Sequence, residues 1–485
     1  MAVSLYTSRV VLSVLGVDDF GLSVVITSVV AMFDFINHSM AVSTSRFFTY
    51  ELGKNDFEKL RKTFSASFTV HIIIAIIIII LCETIGLWYL ENKMIIPEGR
   101  MTAARWVYQL SLIGAFIAII QSPFDALIIS HEKMNVYAYI GILNSCLKLA
   151  IVYLLIFGNF DKLIFYAILT LCVTVVIALF YICYCIKKFQ ECKYCFEWDK
   201  TTIYPILSFS GWNLYSIIGS DTKDKGVNII LNLFFTTAVN AAFGLAVQVN
   251  TALSALYHNF MMAVKPQLVK YYAENRISEM NHLAVNATKY SFILCFIPYL
   301  PIMVEIDFIL NIWLKNVPEY VNVFCLLFLI TGLLNTFWGA INYVVYATSK
   351  IRKISFVIGT IYLFIPVISY FLFKFNYKIV YAPLLINIIV SIVVTFIVLL
   401  KVHSLIPQFS IFLFIKKSII SNIIVSAISA ILPLFIHFSM AEGWLRLILV
   451  ILSSTIMIAI STYYILFDRQ TRISLIGFIS NKIRK

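Results

Sequence analysis

A stretch near the start of this chain is written a second time about 220 residues later, inside a sequence that is otherwise almost continuously apolar. The first copy reads Arg9-Val10-Val11-Leu12-Ser13-Val14, then Phe20-Gly21-Leu22, Met40-Ala41-Val42 and Tyr50-Glu51. The second reads Asn228-Ile229-Ile230-Leu231-Asn232-Leu233, then Phe243-Gly244-Leu245, Met262-Ala263-Val264 and Tyr272-Ala273-Glu274. The offset is 219 at the first block (Asn228 against Arg9) and 222 to 223 afterwards, so one small insertion keeps the copies in step. Self-similarity at a fixed offset in a membrane chain indicates duplicated helical halves, which typically build a substrate site where they meet. Transport is the class of function that this pattern favours.

The membrane reading rests on run length. A span needs about 20 apolar residues; residues 72–81 are wholly apolar, and 388–400 contain only Ser391 and Thr395 as polar groups. Only 13% of the 485 residues are charged, against roughly a quarter in soluble domains. About 14 spans are expected: 2–15, 22–44, 64–90, 106–128, 136–157, 162–186, 204–235, 240–264, 289–310, 320–347, 354–373, 379–400, 418–439 and 446–467. The fold class is all-α and polytopic, with two six-helix bundles related in parallel and two helices appended. The expected divisions are an N-lobe over 1–200, a C-lobe over 201–403 and a final section over 404–485. The first span is too short to cross a core of ~30 Å, so we expect a partial span or a start inside a helix. It lacks the pattern of a cleavable signal peptide.

The net charge of +13 is explained by topology, not by nucleic acid. Basic residues crowd alternate loops: Arg46 to Lys62, Lys133, Lys187 to Lys200, Lys265 to Arg276, Lys350 to Lys353, Lys401 to Lys417, and the tail from Arg469. The opposite loops carry few, among them Arg100, Lys162 and Arg446. The positive-inside rule then places both termini in the cytoplasm. The longest polar connections are 45–62, 187–202 and 265–289. Cys183, Cys185, Cys192 and Cys195 cluster after the sixth span, but a C-x-C pair inside an apolar helix makes a poor zinc site. We expect neither a metal nor a cofactor.

Charges within a bilayer usually face a cavity or a partner. The second span carries Ser23, Thr27, Asp34, Asn37, His38 and Ser45 along one stripe, by i, i+3, i+4 spacing. The fourth has Gln121 and Asp125 around Pro123; the fifth has Asn144 and Lys148; the eighth has Gln248, Thr251 and His258. For Ser and Thr, hydrogen bonding between helices is the expected role; for Asp34, Asp125 and Lys148 it is the cavity. The seventh span holds Asp221-Thr222-Lys223-Asp224-Lys225-Gly226, which must line water, pair with other helices or break the helix. Four cations (Arg9, Lys148, Lys223, Lys225) balance four carboxylates (Asp34, Asp125, Asp221, Asp224). The tally alone names no cargo, and each cation either meets cargo or pairs with an aspartate.

The chain resembles the polysaccharide-biosynthesis (Wzx-type) flippases of the superfamily that also contains the MATE multidrug exporters. The likeness is carried by Leu5-Tyr6-Thr7-Ser8-Arg9-Val10-Val11-Leu12, Arg46-Phe47, Glu51-Leu52-Gly53, and Ser122-Pro123-Phe124 to His131-Glu132-Lys133-Met134. It continues in Gly226-Val227-Asn228-Ile229, Asn240-Ala241-Ala242-Phe243-Gly244, Gln248-Val249 and Pro266-Gln267. This resemblance implies a two-lobed bundle of 14 helices in a bacterial cytoplasmic membrane, alternating access to a central cavity. The implied cargo is an oligosaccharide linked to undecaprenyl-type diphosphate, as in O-antigen and lipopolysaccharide assembly. Arg9, Lys148, Lys223 and Lys225, with Asn37, Asn144 and Gln248, are then the candidate cargo contacts. Asp34, His38, Asp125, Asp221 and Asp224 are candidates for a coupling proton or sodium ion. The competing readings are a MATE-type exporter of cationic drugs and a membrane glycan polymerase or glycosyltransferase, the latter prompted by Asp18-Asp19. Such enzymes carry large external loops, which this sequence lacks, so no enzymatic activity is expected.

Overall fold

The computed structural model describes residues 34–467 except 93–95, 97–98, 156–160, 196–198, 236, 315–316, 376 and 378, together with scattered positions within 7–27 and Arg472. Every long element described is a helix. We number them α1 (Asp34–Gly53), α2 (Phe57–Asn92), α3 (Met101–Ser130), α4 (Met134–Leu154), α5 (Lys162–Lys188), α6 (Lys200–Phe234) and α7 (Thr237–Ala273). There follow α8 (Ile277–Val304), the short α9 (Ile306–Leu314), α10 (Val321–Ala347), α11 (Arg352–Lys374), α12 (Ala382–Leu405), α13 (Ile411–Ser439) and α14 (Trp444–Leu466). Among the described residues, 10 helices are long and apolar enough to cross a membrane: α2 to α5, α8 and α10 to α14. The long helices outside that set are α1, α6 and α7, the ones whose polar stripes and charges dilute their hydropathy.

The helices run further than their apolar segments. The expected loops at 45–62 and 265–289 are mostly helix, because α1 continues to Gly53 and α7 to Ala273. At 37 residues, α7 is about 56 Å long, well beyond a hydrocarbon core of ~30 Å. Its polar end therefore stands in water while remaining helical.

The chain divides into two compact units, Met1–Leu214 and Tyr215–Lys485, with the division inside α6. In the first unit α1 packs on α2 and α3, α3 lies along α5, and α4 lies against α5. In the second, α7 packs on α8 and α10, α10 lies along α12, and α11 lies against α12. The same packing therefore occurs twice, as the repeat requires. The turns repeat too. Asn55 (φ 55°) and Asn275 (φ 57°) adopt the left-handed conformation that closes a helix end. In both turns the next amide reaches back five residues, Asp56 N to Glu51 O at 3.2 Å and Arg276 N to Tyr271 O at 2.9 Å. Glu132 (φ 57°) and Ser349 (φ 63°) form a second matched pair. These turns equate residue 55 with 275, an offset of 220, whereas matching Tyr50 with Tyr272 gave 222; the backbone closure, not the side-chain likeness, sets the register.

In the first unit the buried stripe of α2 (Leu60, Phe64, Ala75, Ile78) meets Tyr108, Leu112 and Phe124 of α3 and Leu163, Ile177 and Tyr181 of α5. The opposite face of α2 exposes Ile73, Ile76, Ile77 and Ile80, as a lipid-facing surface should. Near its far end α2 contains a π-helical turn at Cys82–Gly86, where the Tyr108 hydroxyl donates to the Cys82 carbonyl at 2.7 Å. In the second unit α14 places Ile458 among Phe292, Phe296, Leu300 and Phe337. The appended pair α13–α14 is thus docked on α8.

Candidate functional site

In the first unit, Arg9 and the side chain of Asp34 lie outside the described residues. Asp34 opens α1; Asn37 is half-buried and His38 exposed one turn later. On α3 the Gln121 carboxamide donates to both oxygens of Asp125, at 3.1 and 3.2 Å. Asp125 acts electrostatically on Tyr137 of α4 and Tyr181 of α5, so it is turned toward its own helix bundle. On α4, Asn144 is half-buried and Lys148 is exposed. No carboxylate lies within ion-pair distance of Lys148 among the described residues.

A pairing of Lys148 with Asp125 is therefore not formed, and helix geometry explains why. From the shared turn at 131–133, Lys148 lies 14 residues into α4 and Asp125 five residues back along α3. At 1.5 Å per residue the two sit about 13 Å apart along the helix axes. An exposed lysine part-way along an apolar helix is costly against lipid.

In the second unit α6 is one continuous helix through Asp221–Gly226, so the charge run does not break it. The charges pair within the run instead. Lys225 Nζ lies 2.9 Å from Asp221 and Lys223 Nζ lies 3.7 Å from Asp224. Lys223 also sits over the Tyr362 ring of α11, 5.1 Å from its centroid. Gly226 serves packing, not a kink, since a Cβ there would meet Pro366 of α11 at 3.2 Å. Asp221 and Asp224, expected as ion-coupling groups, thus each have a lysine within reach. On α7, Gly244, Gln248, Thr251 and His258 all fall on an exposed strip.

The serines and threonines behave differently from expectation. Most bond back within their own helix, as with Thr27 to Ser23 O at 2.8 Å and Thr251 to Val247 O at 2.8 Å. Several do bridge helices: Ser39 to Ser210 O at 2.7 Å, Ser43 to Ile206 O at 3.2 Å and Ser130 to Ser45 O at 3.0 Å in the first unit, and Ser418 to Val285 O at 3.3 Å, Thr360 with Tyr215 at 2.9 Å and Ser429 with Ser461 at 2.7 Å in the second. The first two seat α1 against the opening turns of α6.

Three features escaped sequence reasoning because their members are far apart in the chain. Arg100 binds both Asp19 and Asp161, so Asp19, one of the two carboxylates that prompted an enzymatic reading, is held in an ion pair, while Asp18 lies outside the described residues. Glu305, fully buried beyond the end of α8, accepts from Arg446 Nη2 at 2.7 Å and Nε at 3.1 Å, and lies 2.9 Å from His437 Nδ1. His131 Nε2 lies 2.5 Å from Glu191, and its ring stacks on Phe189 with centroids 4.0 Å apart. Burial, the largest single influence, would raise the Glu191 carboxyl, but the His131 hydrogen bond, a backbone hydrogen bond and the nearby imidazolium charge together hold the group below its ordinary value. Cys185 is buried with its Sγ 3.5 Å from the Phe124 carbonyl, and Cys183 and Cys195 are exposed. Among the described residues no three potential metal ligands come together.

No protein-family model matches the chain, and no curated protein does. Solved structures do. An outward-facing multidrug resistance MATE family transporter of the MOP superfamily aligns at TM-score 0.72 and 15% identity, over 84% of this chain and 92% of that one. The fold is that of a MATE-type membrane transporter. A MATE in the bent conformation aligns at TM-score 0.72 and 14% identity, over 83% of this chain and 91% of that one. A MOP superfamily transporter from Pyrococcus furiosus, described by the reverse polarity of its binding pocket, aligns at TM-score 0.67 and 15% identity, over 84% and 93%. At such identities the likeness speaks for the fold alone.

Proposed function

We propose that this transporter is a flippase for a polyprenyl-diphosphate-linked oligosaccharide of the undecaprenyl type, working by alternating access in the bacterial cytoplasmic membrane with coupling to a proton or sodium ion. The observation that carries the reading is Lys148, a cation exposed part-way along an apolar helix with no described carboxylate to neutralise it. A diphosphate is a natural counter-charge for it, because charge-assisted hydrogen bonds strengthen as water is excluded. Arg9 is the second diphosphate contact, and Asn37, Asn144, Gln248, Lys223 and Lys225 are contacts for sugar hydroxyls and phosphate oxygens. The lipid tail stays in the bilayer. Asp34, His38, Asp125, Asp221 and Asp224 are the coupling candidates.

One observation favours the drug-exporter reading. Among the described residues Asp125 has Gln121 but no cation beside it, as a site for a cationic drug would need. The Pyrococcus furiosus transporter, whose pocket of reverse polarity suggests a different function, is the precedent for a different function on this fold. The readings separate in cells that depend on the protein for surface glycan. Lys148→Ala should remove surface glycan at normal membrane abundance, Lys148→Arg should retain most of it, and drug tolerance should not change. Normal glycan in Lys148→Ala, with drug tolerance lost in Asp125→Asn, would favour the exporter.

A further inference from the structure

The interior of the first unit holds polar atoms that its packing leaves unsatisfied. His71 is fully buried on the α2 stripe Leu60, Phe64, Ser67, His71, Ala75 and Ile78, every member of which is buried. Its Nδ1 lies 2.7 Å from the Ser67 carbonyl. A carbonyl only accepts, so Nδ1 carries the hydrogen and Nε2 of the neutral ring presents a lone pair. Among the described residues Nε2 has no partner, and neither have Ser67 Oγ, Thr44 Oγ1 and Asn37 Oδ1.

These four atoms belong to one layer. The α1 stripe Met40, Thr44 and Phe48 lies on α2: Phe48 and Phe64 have ring centroids 5.9 Å apart, and Met40 packs with Ala66 and Val70. Counting from the turn between Gly53 and Phe57, Thr44 and Ser67 stand about 14 to 15 Å along their helices, and His71 and Asn37 about 21 to 24 Å. Buried polar groups are rarely left unpaired, and where protein offers no partner a bound water usually does. The walls are apolar, and the four unsatisfied atoms fall within a layer about two turns of helix deep along the α1–α2 contact.

We propose that this layer is a buried proton-binding site, in which water held by Thr44, Ser67 and Asn37 delivers a proton to Nε2 of His71. The step moves one proton from hydronium, through that water, onto the Nε2 lone pair; the Nδ1 hydrogen stays on the Ser67 carbonyl and no other bond changes. Ser67 is the polar group that acts on the ring, and no described charge does. The charges on the elements packed against α2 are otherwise engaged: Glu51 with Lys59, the buried Arg46 over the Phe47 and Tyr50 rings, Asp125 with Gln121, Arg105 with Glu91 and Glu191 with His131. On α2 itself Glu58 pairs with Lys62 and Glu83 accepts from Gln109. His38 of α1 is exposed, and Asp34 opens α1 one turn before Asn37. The packing seen is therefore that of the neutral ring. A proton on His71 favours a different seating of α1 on α2, one that hydrates or pairs the imidazolium, and so biases the lobe between two states by differential proton affinity.

This rests on the transport reading above and deepens it by naming the coupling ion and its acceptor, but its test needs no cargo. Full-length protein carrying ¹⁵N-histidine is purified and its ring nitrogens followed by NMR as the pH is lowered. One ring should show the Nδ1–H tautomer at neutral pH, should be missing from both His71→Gln and His71→Asn, and should take up a proton before the protein unfolds. Replacing the hydroxyls (Thr44→Val with Ser67→Ala) should lower its proton affinity at least tenfold, a downward shift of one pH unit or more. A site that titrates in a protein unable to move lipid-linked oligosaccharide would survive the loss of the flippase reading, and an active flippase with a silent His71 would do the reverse. A ring that never protonates before unfolding, or one that titrates unchanged without the two hydroxyls, overturns the proposal.

Discussion

Replacing Arg446 by Met should detach the last two helices far more readily than replacing Arg446 and Glu305 together. The Glu305 side chain is 0% exposed and that of Arg446 10%, so solvent screens the pair little. The single change removes two guanidinium hydrogen bonds to Glu305, at 2.7 and 3.1 Å, and a third to the Met440 carbonyl at 3.3 Å, and leaves the carboxylate buried with only His437 at 2.9 Å. Stranding one partner of a buried pair costs about 3–5 kcal/mol; the remaining imidazole places this case near the lower end. Removing both charges (Arg446→Met with Glu305→Leu) strands no buried charge and should be close to neutral, because burial of apolar replacements offsets the lost pair. The interaction energy between the two positions is then about 3 kcal/mol. Purified variants heated in detergent and scored for monodisperse protein by size exclusion would show the single variant failing several degrees below both the parent and the double variant. Equal loss in single and double variants would refute the reasoning, since Arg446 would then matter through packing and not through charge.

Two further outcomes follow from local geometry. A Cβ on Gly219 would lie 2.6 Å from the Gly359 carbonyl oxygen, where only backbone can move, so Gly219→Ala should destabilise the α6–α11 contact by about 1–3 kcal/mol; thermal denaturation unchanged from the parent would contradict this. Glu191 is held below its ordinary value by His131, so its contribution is complete above the unfolded carboxylate value, about 4.3, and is lost as pH falls through the lower folded value. Glu191→Gln should therefore lose heat stability at pH 7, while the gap to the parent closes as the pH drops below about 4; a gap independent of pH would contradict the pairing.

How much the sequence revealed follows from range. Runs such as 72–81 announce helices because nothing else satisfies a backbone in lipid, and the duplicated blocks announced two similar bundles. The helix ends were missed because hydropathy reports the hydrocarbon core, whereas α1 and α7 continue as polar helix to Gly53 and Ala273. The run Asp221–Lys225 left open lining water, pairing with other helices or a break in the helix, because four charges are expensive alone; the i, i+4 pair Asp221–Lys225 adds a fourth outcome, pairing within the helix. His71 was hidden by the isoleucines that follow it; the signal was its place in the 60, 64, 67, 71 stripe with Ser67. Glu305 and Arg446, 141 residues apart, could be joined only by the fold.

The account stands most directly on movement of the cargo itself. The purified protein is reconstituted into vesicles holding a fluorescent oligosaccharide on a polyprenyl diphosphate, and exposure of the sugar is followed with a membrane-impermeant quencher. The parent protein should move the lipid between leaflets, Lys148→Arg should retain most of the rate, and Lys148→Ala should lose at least tenfold, about 1.4 kcal/mol in the transport barrier. Movement by Lys148→Ala at the parental rate, or none by the parent under an imposed proton or sodium gradient, would contradict it.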